Sequence, residues 1–562
     1  MGKVSLALLV VACCSLNQPA LGQLAKAPLR PPLDLDAGAS PESGPDPLTP
    51  PPVDAPPLLA PGAAAPLPEA GPVREADPIV LAVRQRLASL PATRDGGDQA
   101  DYAALKTFYA QWASPLWLSN GALTPRAEQT MLEINQADSW GLKAAAFDLP
   151  KLGAPSTNPE ALADVEIKLS FAVLKYARAA RGGRLDPAAV SRKFDQKPPV
   201  YEPGSLLLAM AEHADVAAYL RQLHPRHEQF QRLRQALLAA RAAPPDATTA
   251  ATVRRLIVNL ERWRWMPDEL GDFYVWDSVP EQMTRVVDRG EVTLAERIVV
   301  GKPSTPTPIF SANMQFVIFH PSWGVPAGMK VQELWPQLRN TGGGWFSSYP
   351  LASAVLAGHG LSVSRGGHPI NPDSVDWSKV DIREFEFVQP PGAKNVLGIV
   401  KFRFPNKHDV YMHDTPERHL FGGAVRAFSH GCMRVQNPVR LAEVLLAHDK
   451  GWTASDVQGY VRRGGEIALK QPIPVHVTYF TAVVDDAGKV QYFSDVYGLD
   501  ERLASALEGT RVSLASSPEP TTPRQGATAQ QGVRAAARAS SRAPQKPKAS
   551  SSSNPLTAIF WN

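Results

Sequence analysis

Residues 429–435 read SHGCMRV and contain Cys432, the only cysteine beyond the first fourteen residues. Residues 411–416 read YMHDTP, which places His413 nineteen residues before Cys432. Cys13 and Cys14 lie in an N-terminal segment with the pattern of a removable leader, so we expect one thiol and no internal disulfide in the mature chain. Most unpaired cysteines are small buried hydrophobic residues. Here the neighbouring histidines favour a reactive thiol.

This pattern suits attack on a carbonyl carbon. The attacking species is the thiolate, and an ordinary cysteine with a pKa of ~8.5 is mostly protonated at neutral pH. A histidine within hydrogen-bonding distance can take the proton and return it to a leaving amine. The N–H groups of Gly431 and Cys432 are candidate oxyanion donors, since glycine lets a substrate approach the backbone closely. Asn437 and Pro438 predict a helix N-terminus just downstream, which favours negative charge nearby.

These two stretches resemble the active-site signature of the L,D-transpeptidases, and in particular the large multidomain periplasmic branch of that family. The resemblance extends, with varying strength, from about residue 101 to residue 500. Further matching stretches are 259–267 (NLERWRWMP), 323–326 (WGVP), 375–377 (VDW), 389–395 (QPPGAKN), 397–398 (LG), 401–408 (KFRFPNKH) and 474–481 (PVHVTYFT).

The resemblance implies a reaction and a role for each motif residue. In this family a peptidoglycan stem tetrapeptide acylates the cysteine, the terminal D-alanine leaves, and an amine of a neighbouring stem resolves the thioester. Cys432 is then the nucleophile, His413 the proton acceptor and donor, and Gly431 a backbone oxyanion donor. Asp414 is left out of the chemistry, because a residue rarely points at the ring of its sequence neighbour and a backbone carbonyl commonly orients the histidine in this family.

Three neighbours of Cys432 are expected to support the site. His430 lies two residues away, on the same face of an extended segment, and is the alternative base, but the resemblance favours His413. Arg434 has a geometry that suits a substrate carboxylate, although an arginine in such a loop more often fixes the backbone. Ser429 is expected to cap the loop through its hydroxyl group.

A zinc site is the alternative interpretation of the same region. His408, His413, His419, His430 and Cys432 are all possible ligands. The short ligand pairs typical of zinc sites are missing, since the sequence has no Cys-x-x-Cys and no helical His-x-x-x-His. We therefore predict no metal and no cofactor.

The N-terminus predicts export. Residues 1–22 combine Lys3, an apolar run and a small-residue cleavage site, as in a secretory signal. A lipoprotein signal with Cys13 as the lipidated residue is the second alternative. The apolar run is too short to span a bilayer and no later stretch approaches ~18 consecutive apolar residues, so no transmembrane helix is predicted. The expected location is the periplasm. A net charge of +4 over 562 residues does not indicate a nucleic-acid partner.

The predicted fold class is α+β. Helical periodicity gives way to short β-rich runs near residue 272, which predicts a helical scaffold domain followed by a mostly β catalytic domain with an inserted capping subdomain. The predicted segments are a signal peptide (1–22), a disordered proline-rich linker (23–78), the scaffold domain (79–265), the catalytic domain (271–500, capping subdomain about 320–390) and a disordered basic tail (511–562). Relatives usually insert a small peptidoglycan-binding-like module among the last scaffold helices. Residues 242–252 leave room only for a linker there.

The predicted function is that of a cysteine L,D-transpeptidase of the cell wall. Its partners would be stem peptides, and outer-membrane proteins are further candidate acyl acceptors. The products would be 3-3 cross-links or proteins attached to the wall. One alternative is a carboxypeptidase or amide hydrolase that uses the same thioester with water as acceptor. Another is a non-catalytic wall-binding scaffold, which the Cys432 and His413 pair disfavours. A general cysteine protease has the least support.

Overall fold

The computed structural model describes residues 76–90, 96–151, 155–342 and 349–509. The predicted signal peptide, the basic tail and all but the last residues of the proline-rich linker lie outside these ranges, as do Cys13 and Cys14. Within them, no helix has both the length and the apolar character needed to cross a membrane.

The N-terminal part of the described chain is helical, as the sequence predicts. Several helices begin with proline in the first turn, behind a side chain that accepts a backbone N–H; Asp77, Thr124 and Asn158 are such caps. The elements are α1 (Pro78–Ser89), α2 (Gly96–Gln111), β1 (Leu118–Ser119), β2 (Ala122–Leu123), α3 (Pro125–Asn135), α4 (Pro159–Gly182), α5 (Pro187–Val190), α6 (Pro203–Glu212), α7 (Val216–Gln222), α8 (Glu228–Ala242) and α9 (Ala247–Arg264).

Helix α4 is the centre of this helical part. Most of its residues are buried, and α1, α2 and α6 pack around it. Its Glu166 is fully buried, but the carboxylate accepts hydrogen bonds from the Tyr109 hydroxyl at 2.6 Å and from the backbone N–H of Trp117 at 3.2 Å. Burial raises the pKa of Glu166 to about 7. The carboxyl group is thus buried together with its hydrogen-bond partners, which ties α4 to the chain that follows α2.

After α9 the chain changes from helices to strands. The first four strands of the main sheet are β3 (Phe273–Ser278), β4 (Met283–Asp288), β5 (Glu291–Gly301) and β6 (Phe310–Phe319). A smaller sheet then interrupts it, formed with short helices by residues 323–389, which we call the insertion. Its elements are β7 (Trp323–Gly324), α10 (Ala327–Met329), a π-helical turn (Lys330–Leu334), α11 (Trp335–Leu338), α12 (Ala352–Gly358), β8 (Ser362–Arg365), β9 (His368–Pro369) and β10 (Phe385–Gln389). The insertion has a hydrophobic core of its own, around Trp377, Phe385 and Phe387.

The chain then returns to the main sheet. The remaining elements are β11 (Val400–Arg403), β12 (Met412–His413), β13 (Ala427–Ser429), β14 (Met433–Val435), α13 (Pro438–Lys450), α14 (Ala454–Arg463), β15 (Gly465–Thr478), β16 (Ala482–Val484), β17 (Val490–Tyr492) and α15 (Leu499–Leu507). The main sheet has the order β13-β5-β14-β12-β11-β6-β15-β3-β4, and β5 also pairs with β4. The sheet therefore closes on itself through the two halves of β5.

The helical part and the main sheet each contribute hydrophobic side chains to the core of the other. Phe480 and Val484, which follow β15, are buried in the core of the helices. In return, Phe194 and Trp265 are buried in the core of the main sheet, with ring centroids 5.3 Å apart. Neither core is complete without residues from the other part of the chain.

Polar contacts reinforce this exchange. The Asn259 side chain of α9 donates to Thr481 Oγ1 at 3.0 Å and accepts from the Thr481 N–H at 2.8 Å. Arg262 on the same helix pairs with Asp500 at 2.6 Å. Because these groups are largely buried, losing either partner would leave an unsatisfied polar group.

The folded chain extends beyond the end predicted from the sequence. The catalytic domain was expected to end at residue 500, but α15 continues to Leu507 and buries Leu499 and Leu503. Arg254 on α9 pairs with Glu501 and, at 2.7 Å, with Glu508. Helix α15 is short and has few apolar repeats, so its periodicity is a weak signal in the sequence.

We expect Phe194→Ala to lower the free energy of unfolding by about 3–5 kcal/mol, the usual cost of removing a buried phenylalanine side chain. The ring is 1% exposed in the main-sheet core. Urea unfolding followed by tryptophan fluorescence would measure the change. Lys197→Ala, an exposed neighbour, is the control and should change it by less than about 0.5 kcal/mol. Equal stability of both variants would contradict the proposed packing of this segment.

Candidate active site

The pairing of β12 with β14 assembles the candidate site. The two strands are parallel, with Met412 opposite Met433 and His413 opposite Arg434. Met412 and Met433 are both fully buried in the core of the main sheet. Because side chains alternate along a strand, the residues on either side of each methionine point to the other face. This places His413, in β12, and Cys432, just before β14, on the same side of the sheet and on neighbouring segments.

Two cations flank His413 across the sheet. Lys401 on β11 lies opposite His413 in the strand register, and Arg434 lies opposite it on β14. The Lys401 Nζ is 3.8 Å from the centroid of the Tyr411 ring, whose edge meets the His413 ring at a centroid distance of 5.7 Å. The imidazole is therefore enclosed by positive charge and by an aromatic ring.

His413 is held as a neutral ring. Burial, then the charges of Arg434 and Lys401, lower the pKa of His413 to about 3. Its Nδ1 is hydrogen-bonded to the backbone carbonyl oxygen of Asp414. A carbonyl oxygen can only accept, so Nδ1 carries the proton and Nε2 carries the lone pair. His413 is thus oriented to accept a proton at Nε2.

The Asp414 carboxylate is engaged away from the imidazole. It accepts from the N–H of Ile399 at 2.9 Å and from the N–H of Thr415 at 2.7 Å, and it pairs with Arg418. Its side chain also occupies the space beside Gly398 (φ +58°), where a Cβ would come within 2.3 Å of Asp414 Oδ2. These contacts fix the backbone on both sides of His413.

The Cys432 thiol is protonated in the resting site. Burial raises the pKa of Cys432 to about 11, while hydrogen bonds from Tyr411 and the charges of Lys401 and Arg434 oppose part of this rise. The sulfur lies 3.9 Å from the carbonyl oxygen of Asp409. The residue is half-buried, not fully open to solvent, so this thiol is less acidic than an ordinary one.

Ser429 and Thr307 hold the motif loop, residues 429–432. The Ser429 hydroxyl donates to the carbonyl oxygen of Cys432 and accepts from the Gly431 N–H at 3.1 Å. Thr307 Oγ1 donates to the Gly431 carbonyl oxygen at 2.9 Å. Gly431 adopts φ +118°, a conformation that other residues rarely take.

These contacts bear on two predictions for this loop. The Ser429 hydroxyl, expected to cap the loop, makes two hydrogen bonds within it. The Gly431 N–H was expected to hold an oxyanion, but in this structure it already donates to Ser429. The loop would have to exchange that bond for one to the substrate before Gly431 could serve as the donor.

His430 faces the insertion. Its Nε2 lies 2.6 Å from Glu333 Oε1, in the π-helical turn Lys330–Leu334, and 3.5 Å from Lys302 Nζ. A π-helical turn is a local irregularity that is frequent at functional sites. His430 therefore links the insertion to the motif loop.

Arg434 is nearly buried and pairs with the Glu417 carboxylate at 2.6 Å. It was expected to fix the loop backbone; its observed partner is a side chain instead. The pair leaves Arg434 close enough to His413 to lower the pKa of that imidazole. Its charge therefore contributes to keeping the ring neutral.

A cavity of about 440 Å³ contains the motif residues. We call it the Cys432 cavity. Its walls come from the helical part, the loop before β6, the insertion and the strands β12 and β14. The lining includes Lys193, Ser304, Thr305, Pro306, Trp323, Met329, Gln332, His408, Tyr411, His413, Ser429, His430, Cys432 and Arg434.

The sequence did not single out Lys193, Glu333 or Thr307. Each lies more than about ninety residues from Cys432 along the chain, and none belongs to a motif with a known chemical use. Only the tertiary structure brings Lys193 to the Cys432 cavity, Glu333 to His430 and Thr307 to the Gly431 carbonyl oxygen. No pattern in a single sequence would have identified them.

The possible zinc ligands do not converge. His408 Nε2 pairs with Asp195 at 2.9 Å, and His430 pairs with Glu333. Across the part of the chain that the structure describes, no three His, Cys, Asp or Glu side chains are grouped so as to hold a metal ion.

Comparison with known proteins matches two parts of the chain to known domains. Residues 103–237 match a scaffold domain, and residues 272–472 match the L,D-transpeptidase catalytic domain. A candidate L,D-transpeptidase of Haemophilus influenzae is 24% identical over 430 residues, which cover 75% of this chain and 83% of that protein.

Solved structures match the chain over a shorter region. An LD transpeptidase in complex with imipenem is 15% identical, with a TM-score of 0.17, over 37% of this chain and 59% of that one. An L,D-transpeptidase from Mycobacterium smegmatis is 13% identical, with a TM-score of 0.18, over 37% of this chain and 58% of that one. This chain thus spans about three fifths of the solved structures it matches.

The two domain matches follow each other in the order of the helical part and the main sheet, and the second contains Cys432 and His413. The chain therefore combines a helical scaffold domain with a mostly β domain that matches the L,D-transpeptidase catalytic domain.

Proposed function

We propose that this protein is a cysteine L,D-transpeptidase that acts on peptidoglycan stem tetrapeptides through a thioester at Cys432. The observation that carries the proposal is the His413 ring, which is neutral and oriented through Nδ1 while it shares a cavity with the thiol. A ring in this state can accept a proton at Nε2. The domain match supports the same reaction class.

The two pKa values indicate how the reaction would begin. With a thiol pKa of about 11 and an imidazole pKa of about 3, the free protein holds a neutral thiol and a neutral ring. A stable thiolate–imidazolium pair is therefore disfavoured. Transfer of the Cys432 proton to His413 would accompany sulfur attack on the substrate carbonyl, when negative charge moves from sulfur to oxygen.

The remaining steps follow from this transfer. Attack forms the carbon–sulfur bond, and His413 returns the proton to the D-alanine nitrogen as the carbon–nitrogen bond breaks. The thioester is then attacked by an amine of a second stem, which gives its proton to His413. His413 passes this proton to the sulfur as the carbon–sulfur bond breaks, and Cys432 is released as the thiol. The Cys432 N–H is the candidate oxyanion donor, and Gly431 joins it if its bond to Ser429 is exchanged.

The acceptor distinguishes the remaining alternatives. A stem amine would give a 3-3 cross-link, an amine of an outer-membrane protein would give attachment to the wall, and water would make the enzyme a carboxypeptidase. All three use the same thioester. We propose the transferase because the insertion contributes Trp323, Met329 and Gln332 to the wall of the cavity that contains the thiol, and a partly enclosed site disfavours water as the acceptor.

The proposed location is the periplasm, on the strength of the leader pattern in residues 1–22. A substrate in the cell wall requires export of the enzyme. Lipid attachment at Cys13 remains the alternative to cleavage after residue 22, and the mass of the mature protein separates the two.

Imipenem should acylate the wild-type protein once and leave Cys432→Ala unmodified. The side chain removed is small and half-buried, so the variant should fold, with an unchanged circular dichroism spectrum as the control. Intact-protein mass spectrometry measures the adduct, and incubation with disaccharide tetrapeptide then tests for dimer formation against simple loss of D-alanine. An adduct on Cys432→Ala would refute the assignment of the nucleophile.

His413→Ala should slow acylation by imipenem about 10²–10⁴-fold, the usual contribution of a positioned general base. His430→Ala should slow it less, because Nε2 of the His430 ring is already paired with Glu333 and the ring links the motif loop to the insertion. Adduct formation over time compares the two variants. A larger loss in His430→Ala would mean that the roles of the two imidazoles are exchanged.

The pH dependence of alkylation should reveal the buried thiol. A thiol with a raised pKa of about 11 is protonated below that pH, so its iodoacetamide reaction should accelerate about tenfold per pH unit up to pH 10. An ordinary thiol would level off above pH 8.5–9. Mass-resolved labelling of the native protein measures the profile. A plateau near neutral pH would show a thiolate stabilised by its neighbours and contradict this description.

A further inference from the structure

One wall of the Cys432 cavity comes from the scaffold. Residues 191–197, which we call the scaffold loop, follow α5 and reach Ile309, the residue before β6 of the main sheet. The Ile309 N–H donates to the Lys193 carbonyl oxygen at 2.7 Å, and the Asp195 N–H donates to the Ile309 carbonyl oxygen at 2.8 Å. The loop thus adds a short parallel bridge beside the main sheet, between Phe194 and Ile309.

The scaffold loop is fixed on the C-terminal side of Lys193 as well. Phe194 is buried against Trp265, and the Asp195 carboxylate binds both Lys407 and His408, the latter at 2.9 Å. Lys407 and His408 belong to the catalytic domain, in the segment between β11 and β12. The backbone of Lys193 is therefore held in place by the catalytic domain itself.

Lys193 lines the Cys432 cavity together with residues 304–306. That segment lies next to the motif loop, since the carbonyl oxygen of Pro306 is 3.9 Å from the position a Cβ at Gly431 would take. Among the described residues, no hydrogen bond or ion pair uses the ammonium group of Lys193. By contrast, Arg434 in the same cavity is already paired with Glu417.

We propose that Lys193 binds a carboxylate of the stem peptide and is a specificity-determining residue supplied by the scaffold domain. The inference rests on the proposed function. Lys193 is a half-buried residue at the wall of a reactive cavity, and an ammonium group without an acidic partner among the described residues favours an anionic group of the substrate. The scaffold domain would then act in substrate selection in addition to supporting the catalytic domain.

Two carboxylates of a tetrapeptide are candidates: the terminal carboxylate of D-alanine and the side-chain carboxylate of diaminopimelate. Both present the same chemistry to an ammonium group. Two synthetic peptides separate them, one with a terminal carboxamide and one with a side-chain carboxamide. The unmodified tetrapeptide is the reference.

The test compares the full-length wild type with Lys193→Ala, Lys193→Arg and the control Lys197→Ala. Lys197 lies on the same loop but outside the Cys432 cavity. Thioester formation with the unmodified tetrapeptide is followed by mass spectrometry over a range of peptide concentrations. Iodoacetamide, which is uncharged, reports independently on the state of Cys432 in every variant.

We expect Lys193→Ala to raise KM for the tetrapeptide about three- to tenfold, with kcat changed by less than about twofold, as for loss of a partly exposed charge contact. Lys193→Arg should recover most of the loss and Lys197→Ala should show none. Iodoacetamide labelling should be equal in all four proteins. For wild type, one of the two carboxamide peptides should have a KM raised by the same three- to tenfold over that of the unmodified tetrapeptide. For Lys193→Ala, the KM of that peptide should equal the KM of the unmodified tetrapeptide. The carboxylate that this peptide lacks is then the one that Lys193 binds.

Equal KM values of wild type and Lys193→Ala for the unmodified tetrapeptide would overturn the inference. It would also be overturned if each carboxamide substitution raised KM by the same factor in wild type as in Lys193→Ala. A fall in kcat or altered iodoacetamide labelling in Lys193→Ala would show a structural effect on the site and also overturn it. If wild type labels with iodoacetamide but forms no thioester with any peptide, the proposed function itself fails, and the assignment of Lys193 fails with it.

Discussion

The site depends on the register between two very short strands, β12 and β14. Met412 and Met433 are fully buried opposite each other, and this pair places His413 and Cys432 on the opposite side of the sheet. A shift of one residue in either strand would exchange the two faces, so that a polar side chain would enter the core and a methionine would enter the cavity. The burial of two methionines therefore sets the geometry of the reactive pair.

The same burial sets the chemistry. Removal from water raises the pKa of the Cys432 thiol and lowers that of the His413 imidazole, and the cations Lys401 and Arg434 act on both groups. For the thiol these charges oppose burial, whereas for the imidazole they add to it. The result is a neutral pair that reacts when a carbonyl is present to take up the charge. A thiol in this state is also protected from adventitious electrophiles, because thiols react through the thiolate.

The scaffold and catalytic domains depend on each other for their cores. Phe480 lies in the helical core and Phe194 lies in the main-sheet core, while Asn259 and Thr481 satisfy each other across the boundary. One consequence is that residues 191–197 are held against the cavity by contacts from both domains. This arrangement explains how a helical domain without catalytic motifs contributes to the wall of the site.

The sequence determined the nature of the chemistry, because SHGCMRV and YMHDTP name the reactive groups and because helical and strand periodicities are local properties of the chain. It also predicted the α+β class and the order of the two domains. The tertiary structure decided which partners these groups have: the carbonyl of Asp414 for His413, Glu333 for His430, and Ser429 for the Gly431 N–H. It also brought Lys193 to the cavity and extended the fold to α15. The contacts of Glu333 and Lys193 join residues far apart in the chain, whereas those of Asp414 and Ser429 depend on the conformation of the local backbone. The energies of all of them depend on burial, which no local pattern specifies.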